Sequence, residues 1–185
     1  MRQAPDRLAG IVEADETFVL ESRKGERKLA GKPRRRGGKA KKRGLAREQV
    51  PILVAADRAG APLSHTLPAL NADRVKEVLE PVLALDALLV SDANRCYPPV
   101  AAALDIPHER IDASAGERVR GAVHIRTVNS RHSRIKGFLR GFRGIATKYL
   151  DSCLRWFHLI ELGDPPSPGA CLEAAMAKPC LRVAN

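Results

Sequence analysis

The chain has 185 residues and a formal net charge of +11 at neutral pH. This length is sufficient for one domain with a hydrophobic core, and because aromatic residues make up only 4% of the chain, we expect an aliphatic core. No apolar run approaches the ~18 residues that span a bilayer, and the first residues lack the apolar segment of a signal peptide. The composition therefore excludes a membrane-spanning protein and favours a cytoplasmic one.

The positive charge is concentrated in two segments. Residues 23–47 contain 13 Lys or Arg and one acid, and residues 118–148 contain nine Lys or Arg and no acid. The rest of the chain is net acidic. Two basic segments on an acidic body predict a surface that binds a polyanion such as DNA. The alternative is a disordered basic tail without a specific partner.

The four cysteines lie at positions 96, 153, 171 and 180, and no two of them form a C-x-x-C pair. Zinc sites of the ribbon type need such pairs. We therefore expect reduced, partly buried thiols and no zinc.

A strand and a basic arm come first in the chain. Residues 10–21, GIVEADETFVLE, alternate between apolar and polar side chains, which is the pattern of a strand. One face would hold Val12, Ala14, Phe18 and Leu20, and the other Glu13, Asp15 and Thr17. The arm, residues 22–47, has almost nothing to bury, which predicts a mobile loop or an extended hairpin.

The remaining segments alternate between strand and helix patterns. Residues 50–70 predict two strands joined by a turn at 57–60, and a helix capped by Asn71 follows. The later predicted elements are a strand at 87–90, a helix at 95–104, a strand at 108–111, an irregular stretch at 113–123, and helices at 125–139 and 147–162. This order of elements indicates an α/β fold.

We expect one domain at residues 9–162, preceded by a short lead at 1–8. Residues 163–185 begin with a Pro-rich stretch, DPPSPG, after Gly163. This composition predicts a tail that leaves the core.

Asp15 is the first candidate functional residue. It lies inside a strand, where a carboxylate is disfavoured by propensity and tends to persist when it binds something. The alternative is an edge strand with a solvated polar face.

Asp92 directly follows the buried strand at 87–90. In open α/β sheets, ligand sites gather at the carboxyl ends of strands. The alternative is a cap for the next helix, which is the more common use of an Asp in this position.

Asn129 and Lys136 lie seven residues apart in a predicted helix, so they point the same way within about 20°. His132 and Ser133 lie on or near the same face. The alternative is a polar face that only contacts solvent and phosphate.

Together these residues predict a site for two divalent cations. Asp15 and Asp92 would come from adjacent strands, and Asn129 would add an oxygen from a late helix. Mg²⁺ prefers oxygen ligands and takes few of them from protein. Two such ions can stabilise the attacking and leaving oxygens of a phosphoryl transfer.

Four segments carry a resemblance to a known family. They are GIVEADET around Asp15, SRKGERKLAGKPRRRGGKAKKRG after it, LLVSDANRCY around Asp92, and HIRTVNSRHSRIKGFLRGFRGIATKYLD around Asn129. In order and spacing they resemble bacterial insertion-sequence transposases of the ISXO-like group. These belong to the DDE-type superfamily and carry an Asp-Asp-Asn or Asp-Asp-Glu triad followed by Lys. The resemblance covers residues 9–162.

The resemblance implies a ribonuclease H-like mixed sheet flanked by helices, with the basic arm inserted after the first strand. It implies Mg²⁺-dependent or Mn²⁺-dependent cleavage and strand transfer at transposon ends, with two ions. Asp15, Asp92 and Asn129 would be the catalytic, metal-binding triad, and Lys136 the catalytic residue next to the DNA. A homo-oligomer associated with the nucleoid is a further implication.

The two basic segments supply the residues that we expect to contact DNA. They are Arg34, Arg35, Arg36, Lys39, Lys41, Lys42, Arg43, Arg131, Arg134, Lys136 and Arg140. An Asn in the third position of the triad offers a neutral oxygen, so the site has one negative charge fewer than with Glu. Metal affinity should therefore be weaker unless Glu13, Glu16 or the substrate phosphate compensates.

Members of this group usually carry a zinc ribbon before the catalytic core. Here only about ten residues precede the first predicted strand, so we expect a copy truncated at its N-terminus. One alternative is an inactive remnant that binds DNA without sequence preference and does not cut it. Another is an RNA-binding protein, which the pI of about 10.0 would suit, although it gives no reason for Asp15 in a strand.

Overall fold

The computed structural model describes residues 7–29, 37–42, 45–161 and 167–176. Within these ranges there are five strands and five α-helices. The strands are β1 (Ile11–Leu20), β2 (Gln49–Asp57), β3 (Pro62–Thr66), β4 (Leu88–Asp92) and β5 (His108–Ile111). The helices are α1 (Ala72–Leu79), α2 (Tyr97–Leu104), α3 (Arg126–Gly141), α4 (Leu150–Glu161) and α5 (Pro168–Met176).

The five strands form one mixed sheet in the order β3-β2-β1-β4-β5. β2 pairs antiparallel with both β1 and β3, whereas β4 pairs parallel with both β1 and β5. Helices α1 and α2 connect the parallel strands, and α3 follows the last strand. This is the ribonuclease H-like α/β fold that the resemblance implied, so that prediction is confirmed.

Hydrophobic cores lie on both faces of the sheet, because the interior strand β2 is apolar on both sides. Leu53 and Ala55 point to the face covered by α1 and α2, and Ile52 and Val54 to the face covered by α3 and α4. The first core also contains Val12, Ala14, Val75, Leu79, Leu89 and Tyr97. The second also contains Val128, Ile135, Leu150, Leu154 and Phe157.

β1 is the middle strand of the sheet, with β2 on one side and β4 on the other. The alternative that Asp15 lies in a solvated edge strand is therefore wrong. The polar face of β1 instead lies under α3, where Glu13 and Thr17 are both buried.

Most local predictions agree with the structure. The side chain of Asn71 caps α1 by accepting a hydrogen bond from the Arg74 backbone N–H, and prolines occupy the first turn of α2 as expected. The last predicted helix begins with a 3-10 turn at Thr147–Tyr149 before α4. Cys96 and Cys153 carry free thiols as predicted, and Cys180 lies outside the described residues.

The C-terminal segment contains a helix that the sequence did not predict. Residues 168–176 form α5, which contacts α4, and none of its described residues belongs to the hydrophobic cores. Pro168 fits the start of this helix because its missing N–H has no partner there anyway. The division of the chain at residues 8 and 162 stays a prediction.

The basic arm is described only in part. Residues 22–29 and 37–42 contain no helix or strand, and residues 30–36 and 43–44 lie outside the described ranges. Its first residue is fixed to the start of the 3-10 turn. The Ser22 N–H donates to the Thr147 hydroxyl, and the Thr147 N–H donates to the Ser22 carbonyl, both at 2.8 Å. Among the described helices, none is long and apolar enough to cross a membrane.

Candidate metal centre

The register of β1 and β4 brings Asp15 and Asp92 side by side. The two strands run parallel and pair as far as Ala14 and Ser91, so the next residue of each strand is one of these carboxylates. β4 ends at Asp92, while β1 continues to Leu20 paired with β2. A crevice therefore opens beside β1 at the carboxyl end of the parallel strands, the usual place for a ligand in such sheets.

A third carboxylate joins this pair. One oxygen from each of Asp15, Glu16 and Asp92 lies within 4.8 Å of the other two. Among the His, Cys, Asp and Glu side chains of the described residues, these three lie close enough together to hold a metal ion. All three offer carboxylate oxygens, which suit hard cations such as Mg²⁺ and Mn²⁺.

The turn after β4 holds Glu16 in this position. The Asn94 side-chain amide and the Tyr97 hydroxyl each donate a hydrogen bond to a different Glu16 oxygen, the second at 3.0 Å. The Asn94 backbone N–H also donates to Asp92 Oδ1 at 3.0 Å. Asp92 therefore accepts from the turn after β4, and the same turn ties it to Glu16. It is not the cap of the next helix, because the N-cap position of α2 is Cys96.

Burial is the largest cause that raises the pKa values of all three carboxylates. Burial, followed by the charges of Asp92 and Glu16, raises the pKa of Asp15 to about 8. Burial and then Asp92 raise the pKa of Glu16, and burial and then Asp112 raise the pKa of Asp92. Each shift means that negative charge is disfavoured here without a cation. A divalent ion would supply the compensating positive charge, so the donor set fits the metal that the resemblance implied.

Helix α3 crosses over Asp15. His132 Nδ1 lies 3.8 Å from Asp15 Oδ2, and burial lowers the pKa of His132 to about 4, so this imidazole is neutral at pH 7. Lys136, one turn later, lies close enough for its charge to oppose the rise in the pKa of Asp15. Asn129 is exposed one turn before His132 on the same face of α3.

Glu13 fixes the first turn of α3 to β1. Its carboxylate is fully buried and accepts hydrogen bonds from Thr127 Oγ1 at 2.8 Å and from the Val128 N–H at 3.1 Å. The N-cap residue of α3, Ile125, makes no side-chain cap of its own. Glu13 therefore acts as the cap from the neighbouring strand, which sets the height of α3 above Asp15.

The sequence profile of the ISXO2-like transposase domain matches residues 7–158, most of the chain. The chain belongs to the ISXO2-like transposase domain family. It is also 32% identical over 155 residues to an "Uncharacterized protein in transposable element ISH50" of Halobacterium salinarum, an alignment that covers 82% of this chain and 52% of that protein. The chain thus spans about half the length of the curated relative it matches. No solved structure gives a significant match.

The transposase domain presents several of the predicted DNA contacts at its surface. Lys39, Lys41 and Lys42 are exposed in the described part of the arm, and Arg134, Lys136 and Arg140 are exposed on α3. Arg134 also pairs with Glu161 at 2.6 Å. The remaining arm residues that we predicted, Arg34, Arg35, Arg36 and Arg43, lie outside the described residues.

Arg131 does not fit its predicted role in the transposase domain. Its side chain is only 8% exposed, and its Nη1 lies 2.7 Å from Glu161 Oε2 on α4. Its Nη2 donates to the Gly60 carbonyl at 3.0 Å. Because the guanidinium is enclosed between α3, α4 and the β2–β3 turn, Arg131 is a packing residue and not part of a DNA-facing surface.

The sequence indicated Glu16 only as a possible source of compensating charge near the metal, and it did not indicate Tyr97. The alternation of β1 places Glu16 on the face opposite to Asp15, which pointed away from a shared site. The sequence did not show that β4 ends at Asp92. Beyond that residue β1 has no neighbouring strand on this side, so the Glu16 side chain can turn toward the crevice. The pair of adjacent acids inside a strand was the available signal.

Proposed function

We propose that this transposase domain catalyses divalent-metal-dependent cleavage of phosphodiester bonds at the ends of an insertion sequence, followed by strand transfer to target DNA. The single observation that carries the proposal is the convergence of Asp15, Glu16 and Asp92 at the end of β4. Membership in the transposase family supports it. Mg²⁺ is the proposed ion, with Mn²⁺ as the substitute.

In this proposal Asp15, Asp92 and Asn129 hold two ions in the crevice. When bound, the ions would polarise the scissile phosphate and make the attacking water or 3′-hydroxyl a better nucleophile. The protein's part is to fix these oxygen ligands on a rigid strand pair and a helix. Lys136, near Asp15 but exposed, would contact a phosphate beside the cut.

The DNA would lie across α3 and the basic arm. Lys136, Arg134 and Arg140 lie on exposed positions of α3, and the arm leaves the domain beside Thr147, just after the end of α3. The arm residues 34–36, 39 and 41–43 would extend this surface. Phosphate contacts of this kind should make binding strongly salt-dependent. We further propose that copies of the chain act together on paired ends, within the nucleoid.

The test is nicking of a supercoiled plasmid that carries the ends of the element, in Mg²⁺ or Mn²⁺. The wild-type protein should nick it, and Asp92→Asn should lose at least about a hundredfold in rate, because even the loss of an outer-shell partner of a metal typically costs about 10–100-fold. Asp86→Asn makes the same chemical change at an exposed position of the preceding loop and should retain activity. DNA binding without metal-dependent nicking would instead identify an inactive DNA-binding remnant.

A further inference from the structure

We propose that Glu16 is a metal ligand of this centre and supplies the negative charge that Asn129 does not. The inference rests on the proposed function, because it concerns the same ions. An Asn in the third position leaves two carboxylates in the triad, and two acids on β1, Glu13 and Glu16, are near enough to compensate. The partners of Glu13 and Glu16 in the structure show which of the two can compensate.

Glu13 is already neutralised by other groups. Arg58 Nη1 lies 2.6 Å from Glu13 Oε1, and His124 Nδ1 lies 3.3 Å from the same oxygen. Its hydrogen bonds to Thr127 and Val128 occupy both oxygens at the start of α3. A carboxylate that is fully buried and paired with arginine in this way adds little charge to a site elsewhere.

Among the described residues, the hydrogen-bond partners of Glu16 are both neutral. Asn94 and Tyr97 donate one hydrogen bond each to its two oxygens, and an ionised carboxylate has about four acceptor positions. Each oxygen therefore keeps a lone pair for a cation.

The distances suit shared coordination. Two oxygens bound to one Mg²⁺ lie at most about 4.2 Å apart, twice the metal–oxygen bond of about 2.1 Å. The oxygens of Asp15, Glu16 and Asp92 lie within 4.8 Å of one another, so only a small inward movement would close them around an ion. Tyr97 is fully buried, and its hydroxyl donates to Glu16. Outer-shell donors orient metal ligands in other metalloproteins in the same way.

The test measures Mn²⁺ binding to the DNA-free protein by calorimetry and by the electron spin resonance signal of free Mn²⁺. Glu16→Gln keeps the size of the side chain and should weaken binding at least tenfold. Tyr97→Phe removes only the supporting hydroxyl and should weaken it by a few fold. Glu77→Gln, an exposed acid on α1, is the matched control and should bind as the wild type does.

A second readout separates a ligand from a structural residue. In EDTA, Glu16→Gln should melt at the same temperature as the wild type or higher, because it removes a partly buried charge that has no cation. In Mn²⁺, its increase in melting temperature should be smaller than that of the wild type. A lower melting temperature in EDTA, with an unchanged increase in Mn²⁺, would mean a structural role and overturn the inference.

Asp15→Asn distinguishes failure of this inference from failure of the proposed function. If Asp15→Asn abolishes Mn²⁺ binding and Glu16→Gln leaves it unchanged, the metal centre stands and the role of Glu16 is rejected. If the wild-type protein binds no Mn²⁺, or Asp15→Asn binds it normally, the proposed centre itself is rejected.

Discussion

The carboxylate of Glu13 and the guanidinium of Arg58 lie 2.6 Å apart, with Glu13 fully buried and Arg58 about one-third exposed. The pair joins β1 to the turn between β2 and β3, and Glu13 also holds the first turn of α3. Glu13 lies two positions before Asp15 on β1, and α3 carries the residues that face Asp15. The ion pair therefore supports the geometry of the proposed metal centre from outside it.

Glu13→Gln should destabilise the protein. Removing one partner of a buried ion pair typically costs about 3–5 kcal/mol, and the partial exposure of Arg58 places the expected loss at or below the lower end of that range. Urea unfolding measures it. Glu77→Gln breaks an exposed pair with Arg74 and should cost less than about 0.5 kcal/mol. Equal losses in the two variants would show that Glu13 is not the anchor described.

Arg131 and Arg140 should differ in what they affect, although they lie on the same helix. Arg131→Met should lower the free energy of unfolding by about 1–3 kcal/mol, since it removes a buried hydrogen-bonded partner, and should leave DNA affinity unchanged. Arg140→Met should leave stability unchanged and reduce the salt dependence of DNA binding by about one unit of slope. Fluorescence anisotropy at several salt concentrations, together with urea unfolding, checks both. A reduced salt slope for Arg131→Met would contradict its assignment as a packing residue.

The pKa of Asp15 predicts an unusual pH dependence for the metal-free protein. Burial, then Asp92, raises that pKa from 3.8 to about 8, so the folded state keeps a proton that the unfolded chain has lost. The contribution of Asp15 to the free energy of unfolding should therefore be greatest at low pH. It should fall as pH rises from about 4 to about 8, by at most about 1.4 kcal/mol per pH unit.

Asp15→Asn removes this titration and is the variant that checks it. In EDTA, its urea midpoint should fall less between pH 5 and pH 8 than that of the wild type, because the amide stays neutral at both values. Asp86→Asn, at an exposed position, should keep the wild-type dependence. The same fall in Asp15→Asn as in the wild type would locate the titrating group elsewhere.

Much of the fold follows from local pattern in the sequence. The apolar runs of β2 and β4 and the cap at Asn71 depend on neighbours in the sequence, which is why they were predicted well. The side-by-side position of Asp15 and Asp92 needed one further rule, that ligand sites gather at the ends of parallel strands. Helix α5 was missed because Pro and Ser around residues 164–167 obscure its start.

The rest depended on contacts between distant residues. The charge of Arg131 does not reveal that its buried side chain pairs with Glu161, which lies thirty residues later on another helix. The role of Glu13 as a cap needs the position of α3, which comes more than a hundred residues later. Glu16 could be placed only once the end of β4 was known.

Asp15 and Asp92 are proposed to hold divalent cations at the end of β4. Anomalous diffraction from crystals of the protein soaked in Mn²⁺ would show these ions at their ligands. We expect a manganese peak bonded to oxygens of both Asp15 and Asp92, and its loss in Asp92→Asn. Manganese bound only at other positions, or no peak in the crevice at saturating Mn²⁺, would contradict this proposal.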